Sequence, residues 1–536
     1  MILNDSSLKN GFDWNKAGFG LPSFNREQVR DATLKDPIWV HFGAGNIFRA
    51  FPAAIQQKLL NDGISDKGII VCEGYDYEII ERIYKPYDDL SLLVVLKPDG
   101  SIEKRVIASV MQSLTANTSN IPDWLKLKKI FRKPSLQIVS FTITEKGYSL
   151  SNAAGDFHDA VKEDFKTGPE TPLSFMGKIA ALCYERFVNG KLPVAYLSMD
   201  NCSHNGEKLY KAMRAFAQEW TERGLVDREF LGYINNQKVS FPWSMIDKIT
   251  PRPDPGIKEQ LQKNGFESTE IICTSKNTYI APFVNAEEPQ YLVIEDIFPN
   301  GRPPLEHAGV IFTARDTVNR VEKMKVCTCL NPLHTALAIF GCLLGYKSIS
   351  SEMKDLHLKD LINKIGYDEG LPVVVDPGII SPEDFIKEVI EIRFPNPYVP
   401  DTPQRIASDT SQKLPVRFGE TLKAYQRRED LSTSDLTFIP LVFAGWCRYL
   451  MGVDDGGDDF QPSPDPMLES MKKHLKGISL GDPGPFSDNL KPILSDVSIF
   501  GVNLYDVGLG NKVEQYFAEM VSGKGAVRAT LAKYVV

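Results

Sequence analysis

The chain has 536 residues, with 61 lysines and arginines against 69 aspartates and glutamates, and its formal net charge is −8. This charge argues against a protein that binds the phosphates of nucleic acids. Hydrophobic residues make up 43% and charged residues 24%, which excludes disordered, collagen-like and coiled-coil chains. Because a single hydrophobic core stops growing at roughly 250 to 300 residues, this length predicts two domains.

The N-terminal residues contain no basic segment followed by an apolar one, so the sequence predicts no secretory signal and a cytoplasmic location. The longest apolar stretches, residues 335–346 and 438–446, are shorter than the roughly 20 residues of a membrane-spanning helix, so no membrane partner is expected. The eight cysteines lack the spacing of a zinc site. We expect buried thiols and no bound metal.

Strand and helix patterns alternate over the first three hundred residues. A strand at residues 37–42, a glycine turn at 43–46, a helix at 47–60 and a strand at 68–72 predict one βαβ unit. Residues 92–96 and 106–110 flank a Pro-Asp-Gly turn and predict a hairpin inserted into the sheet. Further strands are predicted at 136–141, 194–199, 271–274 and 291–294, and helices at 175–189 and 206–223. Residues 1–314 therefore form a predicted α/β domain with an N-terminal leader.

Amphipathic helix patterns dominate after residue 314. They occur at residues 336–344, 353–365, 382–392, 411–427, 436–450, 467–475 and 513–521. Residues 315–536 therefore form a predicted, mostly α-helical second domain.

The turn after the first strand carries glycines at positions 43 and 45, which permits the backbone to approach a pyrophosphate at the start of the next helix. The usual third glycine is replaced by Phe48, so an ordinary strand-to-helix turn remains an alternative. The predicted cofactor-binding residues are Gly43, Gly45, Asn46, Ile47, Arg49 and Glu73. Glu73 ends the second strand, where a carboxylate binds an adenosine ribose and repels a 2′-phosphate, which favours NAD over NADP. Arg49 braces the phosphates or forms a surface ion pair.

Two common dehydrogenase chemistries are excluded by the sequence. None of the 19 tyrosines is followed by lysine four positions later, as the short-chain dehydrogenases require. Cysteine, histidine and glutamate are not arranged with the spacing of a catalytic zinc site.

Several separate sequence blocks resemble the mannitol dehydrogenase and fructuronate reductase family, the polyol-specific long-chain dehydrogenases. They are residues 41–50 (HFGAGNIFRA), 142–148 (TITEKGY), 198–201 (SMDN), 204–206 (HNG), 241–242 (FP), 245–251 (MIDKITP), 294–296 (IED), 301–303 (GRP), 322–325 (EKMK), 331–334 (NPLH) and 405–407 (RIA), with Asp409 and Lys413. The resemblance covers residues 40 to about 450. It implies a Rossmann-type dinucleotide-binding domain followed by a helical domain, and a metal-independent, NAD(P)-linked interconversion of a secondary alcohol and a ketone.

The resemblance also implies the roles of individual residues. Lys325 is the general acid/base, Asn201 and Asn331 hold the reacting oxygen, and His334 orients the substrate. Arg405, Lys413 and Asp247 line the substrate site.

These residue types suit the chemistry, because hydride delivery to a ketone builds negative charge on an oxygen that must be stabilised and protonated. An ammonium group does both, and carboxamides donate N–H bonds without competing for the proton. Glu322, one helical turn before Lys325, is positioned to relay the proton.

Structural alternatives exist for each assignment. Lys325 is otherwise a solvated helix lysine. Asn331 precedes a proline and is otherwise the N-cap of a helix, and His334 is otherwise a histidine of the hydrophobic core. Asn201 is otherwise a turn residue, and Arg405 and Lys413 otherwise pair with Asp401 and Asp409.

Lys325 and Asn331 are six positions apart, one more than is usual in the family. One extra residue in a continuous helix would rotate Asn331 by about 100° relative to the lysine. The residue before Pro332 is pushed out of the α region, so we predict a helix interruption between Lys325 and Pro332, with both side chains still converging.

The preferred substrate is an open-chain sugar acid, a 5-keto hexuronate reduced with NADH as in fructuronate reductase. Its carboxylate needs a cation, and the candidates are Arg252, Arg393, Arg405, Lys413 and Arg417. Alternative substrates are a hexitol, as in mannitol 2-dehydrogenase, and tagaturonate. A further alternative is a non-catalytic NAD-binding sensor on the same fold, which only the six-position spacing between Lys325 and Asn331 favours. We expect a monomer or simple homodimer.

Overall fold

The computed structural model describes residues 1–535. The chain divides into two compact units. Unit 1 comprises Met1–Lys97 and Ser101–Asn319, and unit 2 comprises Pro98–Gly100 and the chain from Arg320 onward.

Unit 1 contains fifteen β-strands among the described residues. In chain order they are β1 (Phe19–Gly20), β2 (Trp39–Phe42), β3 (Ile69–Glu73), β4 (Ser91–Leu96), β5 (Ile102–Ile107), β6 (Val110–Thr115), β7 (Ile138–Phe141), β8 (Val194–Ser198), β9 (Val239–Ser240), β10 (Ser244–Asp247), β11 (Ile272–Cys273), β12 (Tyr279–Ile280), β13 (Phe283–Glu287), β14 (Tyr291–Glu295) and β15 (Ile311–Thr313). The helices are α1 (Asp5–Leu8), α2 (Gly11–Lys16), α3 (Arg26–Lys35), α4 (Asn46–Ala50), α5 (Pro52–Asn61), α6 (Ile121–Phe131), α7 (Asp159–Thr167), α8 (Phe175–Val188), α9 (Asn205–Glu222), α10 (Glu229–Ile234) and α11 (Pro255–Lys263).

Six strands form a parallel sheet in the order β6-β3-β2-β7-β8-β9. The chain runs outward from β2 in both directions, so the strand order reverses between β2 and β7. Residues of β2 alternate between two buried clusters: Val40 and Phe42 belong to one, Trp39 to the other. Both faces of the sheet are therefore covered, as in doubly wound α/β domains.

The predicted hairpin forms, but its second strand and its location are wrong, because the predicted strand 106–110 spans the end of β5 and the start of β6. Strands β4 and β5 pair antiparallel and join a separate four-stranded sheet in the order β1-β5-β4-β13. The hairpin signal is local, whereas its neighbours β1 and β13 come from remote parts of the chain. The remaining sheets are β10-β14-β15 and β11-β12.

The helix predicted at 47–60 is two helices. Phe51, with φ −128° and ψ −71°, separates α4 from α5 and precedes Pro52, which disfavours the α conformation at the preceding residue.

Helix α12 (Arg315–Met324) contains the division point, and after it the described part of unit 2, up to residue 535, forms helices and no strand. These are α13 (Asn331–Leu343), α14 (Ile349–Glu352), α15 (Leu356–Asn363), α16 (Pro382–Glu388), α17 (Pro403–Ile406), α18 (Thr410–Leu414), α19 (Glu420–Gln426), α20 (Phe438–Leu450), α21 (Leu468–Leu475), α22 (Ser487–Leu494), α23 (Val497–Phe500), α24 (Gly510–Val521) and α25 (Ala526–Val535). Nearly every side chain of α13 and α20 is buried, and the two helices pack together as the core of the unit.

Wider π-helical turns interrupt the α-helical pattern. They lie at Ile80–Tyr84 in unit 1 and at Lys325–Cys329, Lys364–Gly370, Val389–Arg393 and Pro415–Gly419 in unit 2. Short 3₁₀ turns lie at Lys85–Tyr87, Glu145–Tyr148, Leu305–Ala308, Leu371–Val373 and Thr433–Asp435.

Among residues 1–535, one helical segment, Arg315–Leu343, is long and apolar enough to span a membrane by length and composition alone. This segment is longer than the apolar stretches identified in the sequence, because it joins α12, the π turn after it and α13. However, 72% of its apolar window is buried inside the protein, which is what a core helix shows.

Candidate active site

The glycine turn lies at the carboxyl end of β2. Gly43 has φ +103°, and a Cβ there would lie 2.2 Å from the carbonyl oxygen of Thr142, so both its conformation and its surroundings require glycine. Gly45 is the N-cap of α4 and has no side-chain cap, and a Cβ at this position would meet no other atom within 4 Å. Free space and helix-end N–H groups at this position fit the pyrophosphate of a dinucleotide.

Three buried side chains hold this turn in place. Glu73 Oε2 accepts a hydrogen bond from the Ala44 amide at 2.9 Å, and the Tyr84 hydroxyl donates to the Ala44 carbonyl at 3.0 Å. Arg49 Nη2 donates to Asn46 Oδ1 at 2.8 Å. The turn is therefore preorganised by side chains from three separate elements.

Glu73 ends β3, as predicted, and is 7% exposed. Its Oε1 accepts hydrogen bonds from the amides of Tyr75 (2.9 Å) and Asp76 (3.2 Å). Burial raises the pKa of the Glu73 carboxyl, and the backbone hydrogen bonds oppose this effect. Its Oε2 retains a lone pair for a ribose hydroxyl beside the bond from Ala44.

Arg49 contradicts one of the two interpretations of its sequence position, the surface ion pair. It is 1% exposed and donates to the Ala281 carbonyl at 2.6 Å as well as to Asn46, so it forms no surface ion pair. This placement favours support of the turn over direct contact with phosphate. Phe48 is fully buried and stacks on His41 with ring centres 4.2 Å apart, which explains why an aromatic residue replaces the third glycine.

Three predicted site residues of unit 1 line one cavity of about 330 Å³. Ile47, Asn201 and Asp247 share it, and its other lining residues are Thr144, Glu145, Met199, Asp200, Ile246, Lys248, Ile249 and Thr250. Ile47 lies in α4, which follows β2, and the other lining residues follow or end β7, β8 and β10. The cavity therefore lies at the carboxyl ends of the strands beside the strand-order reversal, where open α/β sheets bind ligands.

Asp200 organises this cavity and was not singled out by the sequence analysis. Its carboxylate accepts hydrogen bonds from the amides of Ile143 (3.0 Å) and Thr144 (2.8 Å) and from the Tyr148 hydroxyl (2.5 Å). Thr144 has φ +65°, which is strained for a β-branched residue. Asp200 thus holds a strained loop next to Asn201, whose exposed carboxamide forms no side-chain hydrogen bond within residues 1–535. The blocks 142–148 and 198–201 contain these residues, but their contact is tertiary.

In unit 2, Lys325 is the first residue of the π turn Lys325–Cys329 and is 5% exposed, so it is not a solvated helix lysine. The turn ends at Leu330, with φ −129° and ψ −61°, and α13 starts at Asn331. The predicted interruption is confirmed, and a π turn is the form that accommodates one extra residue. The convergence of the Lys325 and Asn331 side chains stays a prediction. Leu330, rather than Asn331, is the N-cap, so the capping alternative for Asn331 is wrong. Glu322 lies in the last turn of α12, half-buried.

His334, on α13, is a neutral imidazole. Burial lowers its pKa to about 3, and the charges of Arg417, Arg405, Arg393 and Lys413 lower it further in that order. Its Nε2 lies 3.4 Å from Asp401 Oδ2, and its ring centre is 5.0 Å from that of Phe394. The four cations belong to four later elements, two π turns and the helices α17 and α18, and they lower the pKa of a ring that also has the Asp401 carboxylate beside it.

The two predicted substrate cations are held differently. Arg405 is largely exposed and forms an ion pair with Asp401, which is the structural alternative for this residue. Lys413 donates to the carbonyls of Ile406 (3.0 Å) and Ser408, and burial lowers its pKa.

All eight cysteines are free thiols. Five are buried, but Cys273 is exposed, so the expectation of buried thiols is wrong for this residue. Within residues 1–535, no group of three or more His, Cys, Asp or Glu residues is arranged to hold a metal ion.

Family models match both units. The mannitol dehydrogenase Rossmann domain matches residues 37–307, and the mannitol dehydrogenase C-terminal domain matches residues 317–521. The chain belongs to the mannitol dehydrogenase family. D-mannonate oxidoreductase of Thermotoga maritima is 57% identical over an alignment that covers 100% of this chain and 99% of that protein.

Two solved structures resemble this member of the mannitol dehydrogenase family along its whole length. D-sorbitol dehydrogenase in a substrate-free form has a TM-score of 0.79 and 26% identity, with 99% of this chain and 100% of that chain covered. Mannitol 2-dehydrogenase of Pseudomonas fluorescens, in a ternary complex with NAD and D-mannitol, has a TM-score of 0.68 and 27% identity, with 99% of both chains covered. The family, the fold class and the class of enzyme, a dehydrogenase of polyols or sugar acids, are confirmed.

Proposed function

We propose that the protein is an NAD-dependent D-mannonate oxidoreductase, which interconverts D-mannonate and fructuronate. The observation that carries the choice of a sugar acid is the 57% identity over the whole chain to D-mannonate oxidoreductase of Thermotoga maritima. Arg417, whose guanidinium is bonded only to neutral groups of the helix that carries His334, supports the same choice, because a carboxylate substrate needs a positively charged site.

A nicotinamide cofactor would supply or accept the hydride when bound. The glycine turn with Asn46 and Ile47, and Glu73 at the end of β3, would hold the cofactor. Lys325 protonates the oxygen that gains charge during ketone reduction, and Asn201 and Asn331 donate N–H bonds to that oxygen. In the reverse direction Lys325 removes the proton, and Glu322 passes it to solvent.

Within the substrate site, His334 orients the substrate, while Arg405, Lys413 and Asp247 contact its polar groups. A neutral imidazole suits this role because it both donates and accepts a hydrogen bond. NAD is proposed over NADP because the carboxylate of Glu73 repels a 2′-phosphate. The related mannitol 2-dehydrogenase of Pseudomonas fluorescens also binds NAD.

The second candidate function is mannitol 2-dehydrogenase, favoured by the similarity to the Pseudomonas fluorescens enzyme; tagaturonate reduction is a third. A non-catalytic sensor was suggested only by the six-residue spacing between Lys325 and Asn331. The π turn accounts for that spacing, so no feature now favours the sensor.

The test is a spectrophotometric screen of the purified protein with NADH and NADPH against fructuronate, tagaturonate and fructose. We expect NADH oxidation to be fastest with fructuronate. Faster reduction of fructose would identify a hexitol dehydrogenase, and no oxidation with any substrate would identify a sensor. The proposal includes a cytoplasmic location and a monomer or simple homodimer, which cell fractionation and gel filtration test.

A further inference from the structure

Arg417 differs from the other candidate carboxylate ligands in the hydrogen bonds that its guanidinium forms. Its Nη1 donates to Thr335 Oγ1 at 2.5 Å and to the Asn331 carbonyl at 3.4 Å. Within residues 1–535 it forms no ion pair with an aspartate or glutamate, and its Nε and Nη2 form no hydrogen bond. The charge is therefore held in place by neutral partners on α13 and is not neutralised.

Each of the other candidates has a contact or a degree of burial that makes it a weaker carboxylate ligand, while Arg405 and Lys413 keep donors for the other polar groups of the substrate. Arg405 is paired with Asp401, and Lys413 donates to two backbone carbonyls. Arg252, in unit 1, lies over the ring of Tyr279, with its guanidinium carbon 4.6 Å from the ring centre. Arg393 is only 4% exposed, which leaves little of it for a ligand.

The position of Arg417 connects it to the proposed catalytic residues of unit 2. It lies in the π turn Pro415–Gly419, which packs against the π turn that begins at Lys325 and against α13. Both of its acceptors belong to the first turns of α13, which also carries His334. Among the four cations, Arg417 has the largest effect on the His334 ring. Burial lowers its own pKa to about 10, so the guanidinium stays charged at neutral pH while it is partly desolvated.

We infer that Arg417 is the residue that selects a carboxylate substrate, with its Nε and Nη2 edge binding both carboxylate oxygens. This inference rests on the proposed function, because it assumes a sugar-acid substrate. Nε and Nη2 lie on the same side of a guanidinium, which is the geometry for two parallel N–H···O bonds. Partial burial strengthens such a pair, because water screens it less than at an open surface.

The experiment compares fructuronate with its methyl ester, which has the same carbon skeleton without the charge. We expect the wild-type enzyme to prefer the free acid. In Arg417→Gln, KM for the acid should rise and kcat/KM should fall by about 100-fold, as loss of one partner of a desolvated charge pair predicts. The ester should react within about 3-fold of wild type, since it makes no charge pair to lose.

Two further variants keep the test decisive. Arg417→Lys retains the charge but not the paired donors, and should recover only part of the preference for the acid. Arg428→Gln removes an exposed arginine that pairs with Asp430 and should leave both substrates unchanged. Melting temperatures establish that each variant folds, and calorimetric titration with D-mannonate measures binding without turnover.

The inference is overturned if Arg417→Gln keeps the wild-type preference for the acid, or if it loses activity with acid and ester equally. Either result leaves the proposed function intact, provided that the wild-type enzyme reduces fructuronate. Failure of the wild-type enzyme to reduce fructuronate refutes the proposed function itself, before any variant is measured.

Discussion

Lys325 is a buried amine, whereas Lys413, the other predicted site lysine, is half-buried. Lysine is among the residue types least often buried, because its ammonium loses hydration there. Lys325 is only 5% exposed, and it begins a π turn of the kind that is frequent at functional sites. These properties fit an acid/base group that works away from bulk water.

Lys325→Ala should lower kcat by roughly 1000-fold, because loss of a general acid/base removes about that much rate. NADH binding, measured by fluorescence titration, should change by less than about 2-fold, since the cofactor residues belong to unit 1. Lys323→Ala is the matched control, because Lys323 is an exposed lysine two residues away. A Lys325→Ala enzyme with a near wild-type rate would remove Lys325 from its role.

Glu73 accepts a hydrogen bond from the glycine turn and is proposed to repel a 2′-phosphate, and a single variant separates these two roles. Glu73→Ala removes the acceptor for the Ala44 amide, so both NADH and NADPH should bind more weakly. The loss should be larger for NADH, and the preference for NADH should fall by about 10-fold, because the charge that repels a 2′-phosphate is gone. Dissociation constants for both cofactors check this. Glu81→Ala, at a carboxylate paired with Lys85, is the control, and unchanged selectivity in Glu73→Ala would place the discrimination elsewhere.

At the scale of elements, the π turn Lys325–Cys329 sets the rotation between α12 and α13. Deletion of Cys327 removes the extra residue. When the π turn then becomes a regular α-helical turn, Asn331 rotates by about 100° about the helix axis relative to Lys325. We expect kcat/KM to fall by at least about 100-fold, a typical result of displaced catalytic groups. Cys327→Ala keeps the residue count and should retain activity. An active deletion variant would show that the spacing does not matter.

Element boundaries were predictable where a proline or glycine marks them. Pro332 located the interruption after Lys325, and glycines 43 and 45 located the turn after β2. The same signal at Pro52 was missed, and one helix was predicted where the structure has two. The hairpin β4–β5 was found from its turn, but its sheet was not, because backbone pairing with β1 and β13 leaves no local pattern in the sequence.

At the scale of the whole molecule, one buried acid makes stability depend on pH. Glu352 is fully buried, and neither carboxylate oxygen has a hydrogen-bond partner within residues 1–535. Its Oε1 lies so close to α13 that a Cβ at Gly341 would be 2.1 Å away. Burial, with the charge of Asp355, raises the pKa of Glu352 to about 9.

The direction of this pH dependence is set by whether the folded or the unfolded chain keeps the Glu352 proton. Above pH ~4.5 the unfolded chain releases the Glu352 proton while the folded chain keeps it, so stability falls as pH rises, up to about pH 9. The free energy of unfolding should fall by about 1.4 kcal/mol per pH unit relative to Glu352→Gln, which has no proton to lose. Urea unfolding at pH 6 and pH 8 measures this difference in slope. Glu429→Gln, which changes an exposed carboxylate, is the control, and its free energy of unfolding should change with pH as in the wild type. The same pH dependence in Glu352→Gln and wild type would contradict the prediction.

The sequence by itself determined the family, the α/β and helical halves, the glycine turn and the residue types needed for hydride and proton transfer. These are encoded in contiguous blocks, so they can be identified without coordinates. Only the tertiary structure decided that Arg49 is buried under the turn and that Asp200 holds the strained loop at Thr144. It also decided that Arg417, beside Asn331, has no acidic partner among the first 535 residues. Such burial and charge depend on segments far apart in the chain, whose contacts leave no pattern in either segment alone.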